Sequence, residues 1–299
     1  MSDEIIVVTA ATGNIGSKLA GALLAKGKKI RVVGRDASKL EPFKKKGAEA
    51  AVGNVEDPEF VSRTFQGARA AFILVPPNYG AQQFRAYQNK IGDIYAAALE
   101  RSGVTHAVNL SSVGAHLPEK VGPIKGLYDV EQKLNALKNV NVTHLRPTFF
   151  MENTLMNIGL IKQMGINGTP MRPDLRTSMI ATADIAGAAA ELLTNLNWSG
   201  KTVRELLGQR DITMQDATAA IAKAIGKSDL KYVQFPYGDA EKAMIGMGMS
   251  ADAAKNMVEL YQSFNDGILR PTEPRSAANT TQTSIETFAE TVFAKAYLN

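Results

Sequence analysis

Short apolar runs recur through the first half of the chain, separated by stretches of helical spacing. Nearly continuous apolar character over four to six residues is typical of strands buried on both faces of a parallel sheet. The pattern therefore predicts six buried strands, at Ile5–Thr9, Ile30–Gly34, Ala48–Val52, Ala70–Val75, Ala107–Leu110 and Val142–Leu145.

Amphipathic stripes lie between these runs. Repeated strand–helix units of this size predict an α/β fold with a doubly wound parallel sheet of the Rossmann type and right-handed crossovers. One stripe consists of Ile15, Leu19, Ala22 and Leu23, and another of Ile91, Ile94, Tyr95, Ala98 and Leu99.

The pattern changes after about residue 150, where helical spacing dominates and extended pieces are short. We therefore expect a Rossmann-type domain at 1–150 and a smaller, mostly helical lobe at 151–299, packed on the first, with some segments free to return to the sheet. The predicted helices are Asp184–Leu193, Thr213–Ile225, Ala240–Met247, Ala251–Phe264 and Ser284–Ala296, and the extended pieces are Thr202–Leu207 and Lys231–Phe235.

Composition excludes several classes of chemistry. The 299 residues include no cysteine, so disulfides, zinc–thiolate sites, iron–sulfur clusters and a cysteine nucleophile are excluded. His106 and His144 lie at the starts of predicted buried strands and are interpreted as structural, and no histidine pair has metal-ligand spacing. The net charge of +5 suits an anionic ligand but is too small to indicate nucleic acid.

The chain opens without a signal sequence and has no long apolar run, which predicts a cytoplasmic protein that spans no membrane.

A glycine-containing turn follows the first strand and opens the first helix. It reads Thr9-Ala10-Ala11-Thr12-Gly13-Asn14-Ile15-Gly16. Such a turn directs backbone N–H groups and the positive end of a helix at a phosphate. Gly13 would let a pyrophosphate approach the backbone, and Gly16 would let the helix sit tightly on the strand.

Two further motifs complete a resemblance to a known family. They are Asn109-Leu110-Ser111-Ser112 after the fifth strand and the segment from Leu145 to Asn153 after the sixth, with the helix start at Thr182–Ala186 in support. Together with the glycine turn they resemble the NmrA-like group of atypical short-chain dehydrogenases/reductases. The resemblance implies a Rossmann-type fold, a nicotinamide cofactor, and a role as a quinone, azo-dye or triphenylmethane reductase or as a redox-sensing regulator.

One position departs from the family pattern. The family turn reads T-G-A-T-G-x-x-G, and Ala10 stands where its first glycine belongs. If that position needs a positive φ, alanine costs on the order of 1 kcal/mol. We expect a reshaped turn and weaker cofactor binding, but not its loss.

The end of the second strand distinguishes the two nicotinamide cofactors. An acidic side chain there holds the ribose 2′-hydroxyl of NAD, whereas an arginine accommodates the 2′-phosphate of NADP. Arg35 matches the family's arginine and Lys39 follows one turn later. Asp36 is the competing signal, but it also fits the N-cap of the next helix. NADP(H) is therefore predicted in preference to NAD(H).

Carboxyl ends of parallel strands form one edge, so the segments that follow them should line the same cleft. The resemblance implies that Gly53-Asn54-Val55 lies beneath the adenine, that Val75-Pro76-Pro77 lines the nicotinamide ribose, and that Ser111 and Pro147-Thr148-Phe149 lie near the nicotinamide. For each of these segments an ordinary strand-ending loop is the competing interpretation. The predicted cofactor contacts are thus Ala10, Thr12, Gly13, Asn14, Ile15, Gly16, Arg35, Lys39, Gly53, Asn54, Val55, Val75, Pro76, Pro77, Ser111, Pro147, Thr148 and Phe149, and the predicted acceptor contacts are Asn78, Phe150, Met151 and Asn153.

The catalytic acid is harder to place. The wider superfamily uses a Tyr and a Lys in the spacing Y-x-x-x-K, but Gln132 stands four residues after Tyr128 and Lys133 comes one later. Registering the helix by its V-E pair, Val130-Glu131, puts Pro123 and Leu127 at the two functional positions. The candidates therefore remain Ser112, Lys125, Tyr128 and His116, with Tyr128 favoured as a packing residue.

The sequence thus predicts an NAD(P)H-dependent reductase, with NADPH preferred, that passes hydride to an electron-poor small molecule. Such acceptors need positioning more than acid catalysis. The alternative is a non-catalytic NADP(H)-binding redox sensor. The expected partner is the small-molecule acceptor, without nucleic acid, membrane or metal, and association into a homodimer is left open.

Overall fold

The computed structural model describes residues 4–299. Its strands are β1 (Ile5–Val8), β2 (Ile30–Gly34), β3 (Glu49–Val52), β4 (Ala68–Leu74), β5 (His106–Leu110), β6 (Asn141–Pro147), β7 (Phe149–Phe150), β8 (Ile166–Thr169), β9 (Thr177–Ile180), β10 (Lys201–Leu206), β11 (Asp211–Ile212) and β12 (Lys231–Gln234). Its α-helices are α1 (Gly16–Ala25), α2 (Ala37–Lys44), α3 (Pro58–Phe65), α4 (Phe84–Ser102), α5 (Ile124–Asn135), α6 (Ile158–Met164), α7 (Thr182–Asn195), α8 (Met214–Ala224), α9 (Tyr237–Gly246), α10 (Ala251–Asn265), α11 (Ile285–Phe288) and α12 (Ala294–Leu298).

Seven parallel strands form the central sheet in the order β10-β6-β5-β4-β1-β2-β3. The doubly wound Rossmann-type prediction is confirmed, and all six predicted runs are strands of this sheet with ends displaced by at most two residues. The strand order reverses between β1 and β4, which leaves a crevice at their carboxyl ends where ligands bind in such sheets.

Alternate residues of β1 face two separate helix layers. Ile6 and Val8 pack with α1, α2 and α7, whereas Val7 packs with α3, α4 and α5. Leu19 and Leu23 of α1 are completely buried on the first face, and burial of each side chain is worth roughly 1.5–3 kcal/mol. This packing fixes α1, and with it the turn that precedes α1, against the sheet.

Two segments from beyond residue 150 belong to the sheet layers. Strand β10 pairs in parallel with β6, and α7 packs against α1. The rest of this half forms a lobe with two small sheets, β11-β9-β7 and β12-β8. These strands are two to four residues long, and the sequence analysis identified only β12 among them.

The lobe is more irregular than its helical periodicity indicates. A 3₁₀ helix occupies Met151–Asn157, and the expected continuous helix over 284–296 is interrupted by a π-helical turn at Ala289–Phe293. No helix within residues 4–299 is long and apolar enough to cross a membrane.

Candidate active site

The turn between β1 and α1 is strained at Ala10, the position where the family pattern has glycine. Ala10 has φ of 48°, so the position does adopt the left-handed conformation that costs a residue with a Cβ about 1–2 kcal/mol. The Ala10 carbonyl accepts the N–H of Gly13 at 2.9 Å, and the N–H of Ala11 donates to Val33 at 2.9 Å. These two hydrogen bonds hold the turn with Ala10 in the left-handed conformation.

Gly16 is required by the close approach of this turn. A Cβ at Gly16 would lie 2.2 Å from the Ala10 carbonyl oxygen, far inside van der Waals contact, whereas one at Gly13 would lie 3.3 Å from the same atom. The sequence analysis predicted that Gly16 allows tight packing between helix and strand. In the structure, Gly16 packs against the carbonyl oxygen of Ala10.

The first turn of α1 is open to an anion. No side chain caps it, and it contains no acidic residue, so its N-terminal N–H groups and positive dipole end lack an internal negative partner. Thr12, Gly13 and Asn14 are exposed in front of it. The side chain of Ile15 is buried in the core beneath the turn. Its side chain therefore serves packing, and only its backbone could contact a ligand.

Arg35 follows β2 with its guanidinium free. It is exposed, and no hydrogen bond or ion pair joins it to another residue in the range 4–299. Asp36 has the predicted capping role instead: its carboxylate accepts from the Ser38 N–H at 2.9 Å and hydroxyl at 2.6 Å, and these bonds lower its pKa. Lys39 is exposed one turn later.

The turn after β3 lies beside the same strand end. The Gly53 N–H donates to the Gly34 carbonyl at 3.0 Å, and the Asn54 side chain accepts from the Glu56 N–H at 3.1 Å. Val55 packs against the core. Tyr87 of α4 is close enough to be affected electrostatically: burial raises the pKa of its hydroxyl, Glu56 raises it further, and Arg35 opposes both. The sequence analysis did not identify Tyr87, because nothing in the sequence places α4 against these strand ends.

The segment after β4 is held by a hydrogen bond at each end, at Leu74 and at Tyr79. Tyr95 donates to the Leu74 carbonyl at 3.1 Å, and the Ser250 N–H of α10's N-cap donates to the Tyr79 carbonyl at 2.8 Å. Between these anchors Val75 and Pro76 are half-buried, and the residues that follow are exposed, namely Pro77 and Asn78.

The predicted contact Ser111 is bonded to a buried carboxylate. Its hydroxyl donates to Oε1 of Glu131 at 2.5 Å. Arg146 donates to both oxygens of that carboxylate, from Nε to Oε1 at 2.9 Å and from the terminal nitrogen Nη2 to Oε2 at 2.5 Å. The Glu131 side chain is 1% exposed. These hydrogen bonds connect α5 to the end of β5 and to β6. Glu131 of the Val130-Glu131 pair therefore has a structural role.

The four catalytic candidates do not form one hydrogen-bonded group within the described chain. Ser112 donates to the Val113 carbonyl at 2.9 Å, and Lys125 pairs with Glu259 of α10 at 2.7 Å. Tyr128 is half-buried and His116 exposed. The four groups that could move a proton therefore lie in separate environments.

The residues after β6 form a wall next to the cleft. Pro147 is buried and accepts from the Val113 N–H at 3.0 Å, and the Thr148 N–H donates to Leu206 at 3.2 Å. Phe149 meets Phe264 of α10 edge-on, with ring centroids 6.0 Å apart. Helix α10 thus closes this side of the cleft.

The next residues point in different directions. Phe150 is half-buried against the sheet core, whereas Met151 is 2% exposed within the core of the lobe, and Asn153 is exposed. Only part of the predicted acceptor set therefore has side-chain surface available to a ligand.

Sequence reasoning also missed a polar group beside the phosphate turn. Lys18 of α1 donates to the Asn14 carbonyl at 2.9 Å and to the Thr182 hydroxyl at 2.8 Å, and its Nζ lies 3.7 Å from the Glu152 carboxylate. Glu152 stood inside a quoted motif, but its partners are 30 and 134 positions away in the chain. Only the fold brings them together.

Comparison with known proteins agrees with this architecture. The chain matches the model of the NmrA-like family over residues 2–291. It is 28% identical over 297 residues to an NAD(P)H azoreductase of Xenophilus azovorans, covering 98% of each chain. A second relative, a (4-alkanoyl-5-oxo-2,5-dihydrofuran-3-yl)methyl phosphate reductase of Streptomyces griseus, is 26% identical over 75% of this chain and 74% of its own.

Solved structures show the same fold. The triphenylmethane reductase of Citrobacter sp. complexed with NADP(H) superposes with a TM-score of 0.80 at 19% identity, covering 96% of this chain and 99% of that one. The NADPH-dependent quinone oxidoreductase of Escherichia coli complexed with NADPH gives 0.72 at 19% identity, covering 97% and 99%. The family match over nearly the whole sequence, together with this fold, shows that the chain belongs to the NmrA-like family.

Proposed function

We propose that the protein is an NADPH-dependent reductase that transfers hydride to an electron-poor small molecule such as a quinone, an azo compound or a related conjugated acceptor. The observation that carries the proposal is the open N-terminus of α1, with Gly16 packed on the Ala10 carbonyl and Arg35 unpaired at the next strand end. Two relatives named as reductases, one of them an NAD(P)H azoreductase, support it.

The residues present fit a dinucleotide. The N–H groups of Asn14, Ile15 and Gly16 and the dipole of α1 would hold the diphosphate, whereas the Gly13 N–H is bonded to the Ala10 carbonyl. Arg35 and Lys39 would meet the 2′-phosphate, for which a planar guanidinium is well suited. Asp36 accepts both the Ser38 N–H and the Ser38 hydroxyl on one carboxylate oxygen, Oδ1, so its capping role accounts for an acidic residue here without a ribose 2′-hydroxyl. We therefore favour NADPH over NADH.

The acceptor would bind between the cofactor and the lobe. Asn78, Phe149, Phe150 and Asn153 would contact it, with Met151 supporting this wall from the lobe core. The edge-on contact between Phe149 and Phe264 gives the cleft an apolar side that excludes water and positions a flat conjugated molecule. When bound, the reduced nicotinamide supplies the hydride.

Proton delivery in this proposal does not use a Tyr-x-x-x-Lys dyad. Ser111 is committed to Glu131 and Lys125 to Glu259. Of the four candidates, Tyr128 and His116 have no hydrogen-bond partner within residues 4–299, and Tyr128, half-buried on α5, is the one of these two that carries a hydroxyl. A strongly electrophilic acceptor takes its proton from Tyr128 or from water after hydride has arrived.

The hydrogen bonds of Ser111 with Glu131 and of Lys125 with Glu259 also favour a second candidate function, a non-catalytic NADP(H) sensor, because they occupy two groups that could otherwise act in catalysis. Consumption of NADPH, followed by its absorbance with a panel of quinones, azo dyes and cationic triphenylmethane dyes, separates the two. The reductase predicts turnover with at least one acceptor. Tight NADPH binding without turnover of any of them would instead establish the sensor.

A further inference from the structure

Lys18 links the phosphate turn to the first residue of α7. Its Nζ donates both to the Asn14 carbonyl at 2.9 Å, inside the turn, and to the Thr182 hydroxyl at 2.8 Å, at the start of α7. Its side chain is 40% exposed, so the ammonium also faces the solvent from which an anionic ligand arrives.

The third neighbour of Lys18 is a buried negative charge. Glu152 is 7% exposed at the side chain, and its carboxylate accepts the Thr182 N–H at 3.1 and 3.0 Å as well as the Thr182 hydroxyl. The chain thereby supplies its own anion to the N-terminus of α7, whereas it supplies none to α1. A carboxylate at this place opposes any dianionic group brought to the neighbouring turn, because like charges repel.

We propose that Lys18 is a positioning residue for the diphosphate that NADPH and NADH share. It fixes the Asn14 carbonyl, so that the turn's N–H groups keep their direction, and its positive charge offsets that of Glu152 beside the bound phosphates. The inference rests on the proposed function for its ligand. It differs from the role of Arg35, which concerns the 2′-phosphate alone.

Titration of the wild-type protein and three variants with NADPH and with NADH, followed by nicotinamide fluorescence or calorimetry, tests the inference. Lys18→Met should raise the Kd of both cofactors about tenfold, the size expected for a partly exposed charged contact. Lys18→Arg keeps the charge and should stay within about threefold of wild type. Lys26→Met removes the same charge just beyond the other end of α1, where the side chain has no hydrogen bond or ion pair within residues 4–299, and should leave both Kd values unchanged.

Salt dependence separates an electrostatic role from a purely structural one. Raising NaCl from about 20 to about 300 mM should weaken binding to the wild type more steeply than binding to Lys18→Met, because the lost charge no longer contributes. Lys18→Met affinities within twofold of wild type would overturn the inference. So would a loss confined to NADPH, an unchanged salt slope, or a failure of Lys18→Arg to restore binding. If the wild type binds neither cofactor, the proposed function fails first and the inference fails with it.

Discussion

Replacing Ala10 by glycine is expected to stabilise the protein. Ala10 has φ of 48°, and the left-handed conformation costs a residue with a Cβ about 1–2 kcal/mol, a cost that glycine does not have. Against this, glycine gives the unfolded chain more freedom, worth about 0.4–1 kcal/mol. The difference predicts a gain of about 0.5–1 kcal/mol in the free energy of unfolding.

Urea unfolding of Ala10→Gly and wild type measures this difference, with Ala97→Gly as the matched control. Ala97 is exposed within α4, where φ is helical and the same exchange should destabilise by about 1 kcal/mol. The two substitutions are chemically identical, so their opposite signs would isolate the backbone conformation as the cause. Affinity for NADPH should be equal or tighter in Ala10→Gly, because the turn already has the shape that glycine favours.

A fall in the unfolding free energy of Ala10→Gly as large as that of Ala97→Gly would refute the reasoning. It would mean that Ala10 is not strained in solution and that the turn takes another shape. Weaker NADPH binding in the stabilised variant would refute the link between this conformation and the cofactor.

Three further predictions follow from single contacts. Gly16→Val places a Cβ 2.2 Å from the Ala10 carbonyl oxygen, so calorimetry should show that NADPH binding is lost, with a destabilisation of about 1–3 kcal/mol; retained affinity would contradict the turn's geometry. Arg35→Ser should raise the Kd of NADPH by about ten- to a hundredfold and that of NADH by less than about threefold, and equal effects on both would remove Arg35 from the 2′-phosphate. Burial lowers the pKa of His144 to about 4, below its value in the unfolded chain, so the unfolded state binds the proton first as the pH falls. Stability should therefore decrease by about 1–3 kcal/mol from pH 6.5 to 4, and His144→Gln should flatten that part of the pH profile measured by urea unfolding; an unchanged profile would show that His144 does not titrate with unfolding.

The sheet was predictable from the sequence because each of its first six strands contains a nearly continuous apolar run. A strand such as β1, with Ile6, Val7 and Val8 all buried, needs no long-range information to be recognised. The N-cap role of Asp36 was also predictable, because its partner Ser38 is only two residues away in the sequence.

The site was predictable only where its residues are local. The phosphate turn is one continuous segment, and its single question, the conformation at Ala10, was posed correctly. The placement of side chains after β5 and β6 was not, because Ser111 meets Glu131 and Lys125 meets Glu259 across 20 and 134 positions. The contacts of Lys18 with Glu152 and Thr182 are equally distant in the chain, and no periodicity reports them.

Simultaneous recording of NADPH and an electron-poor dye in one anaerobic reaction tests the central claim most directly. With the wild type, the absorbance of NADPH and that of the dye should fall together, in a fixed ratio and only when both are present. Gly16→Val should show neither decrease, because the turn that would hold the diphosphate is blocked. Wild-type protein saturated with NADPH that reduces no quinone, azo or triphenylmethane acceptor would contradict the account, as would a Gly16→Val variant that reduces the dye at the wild-type rate.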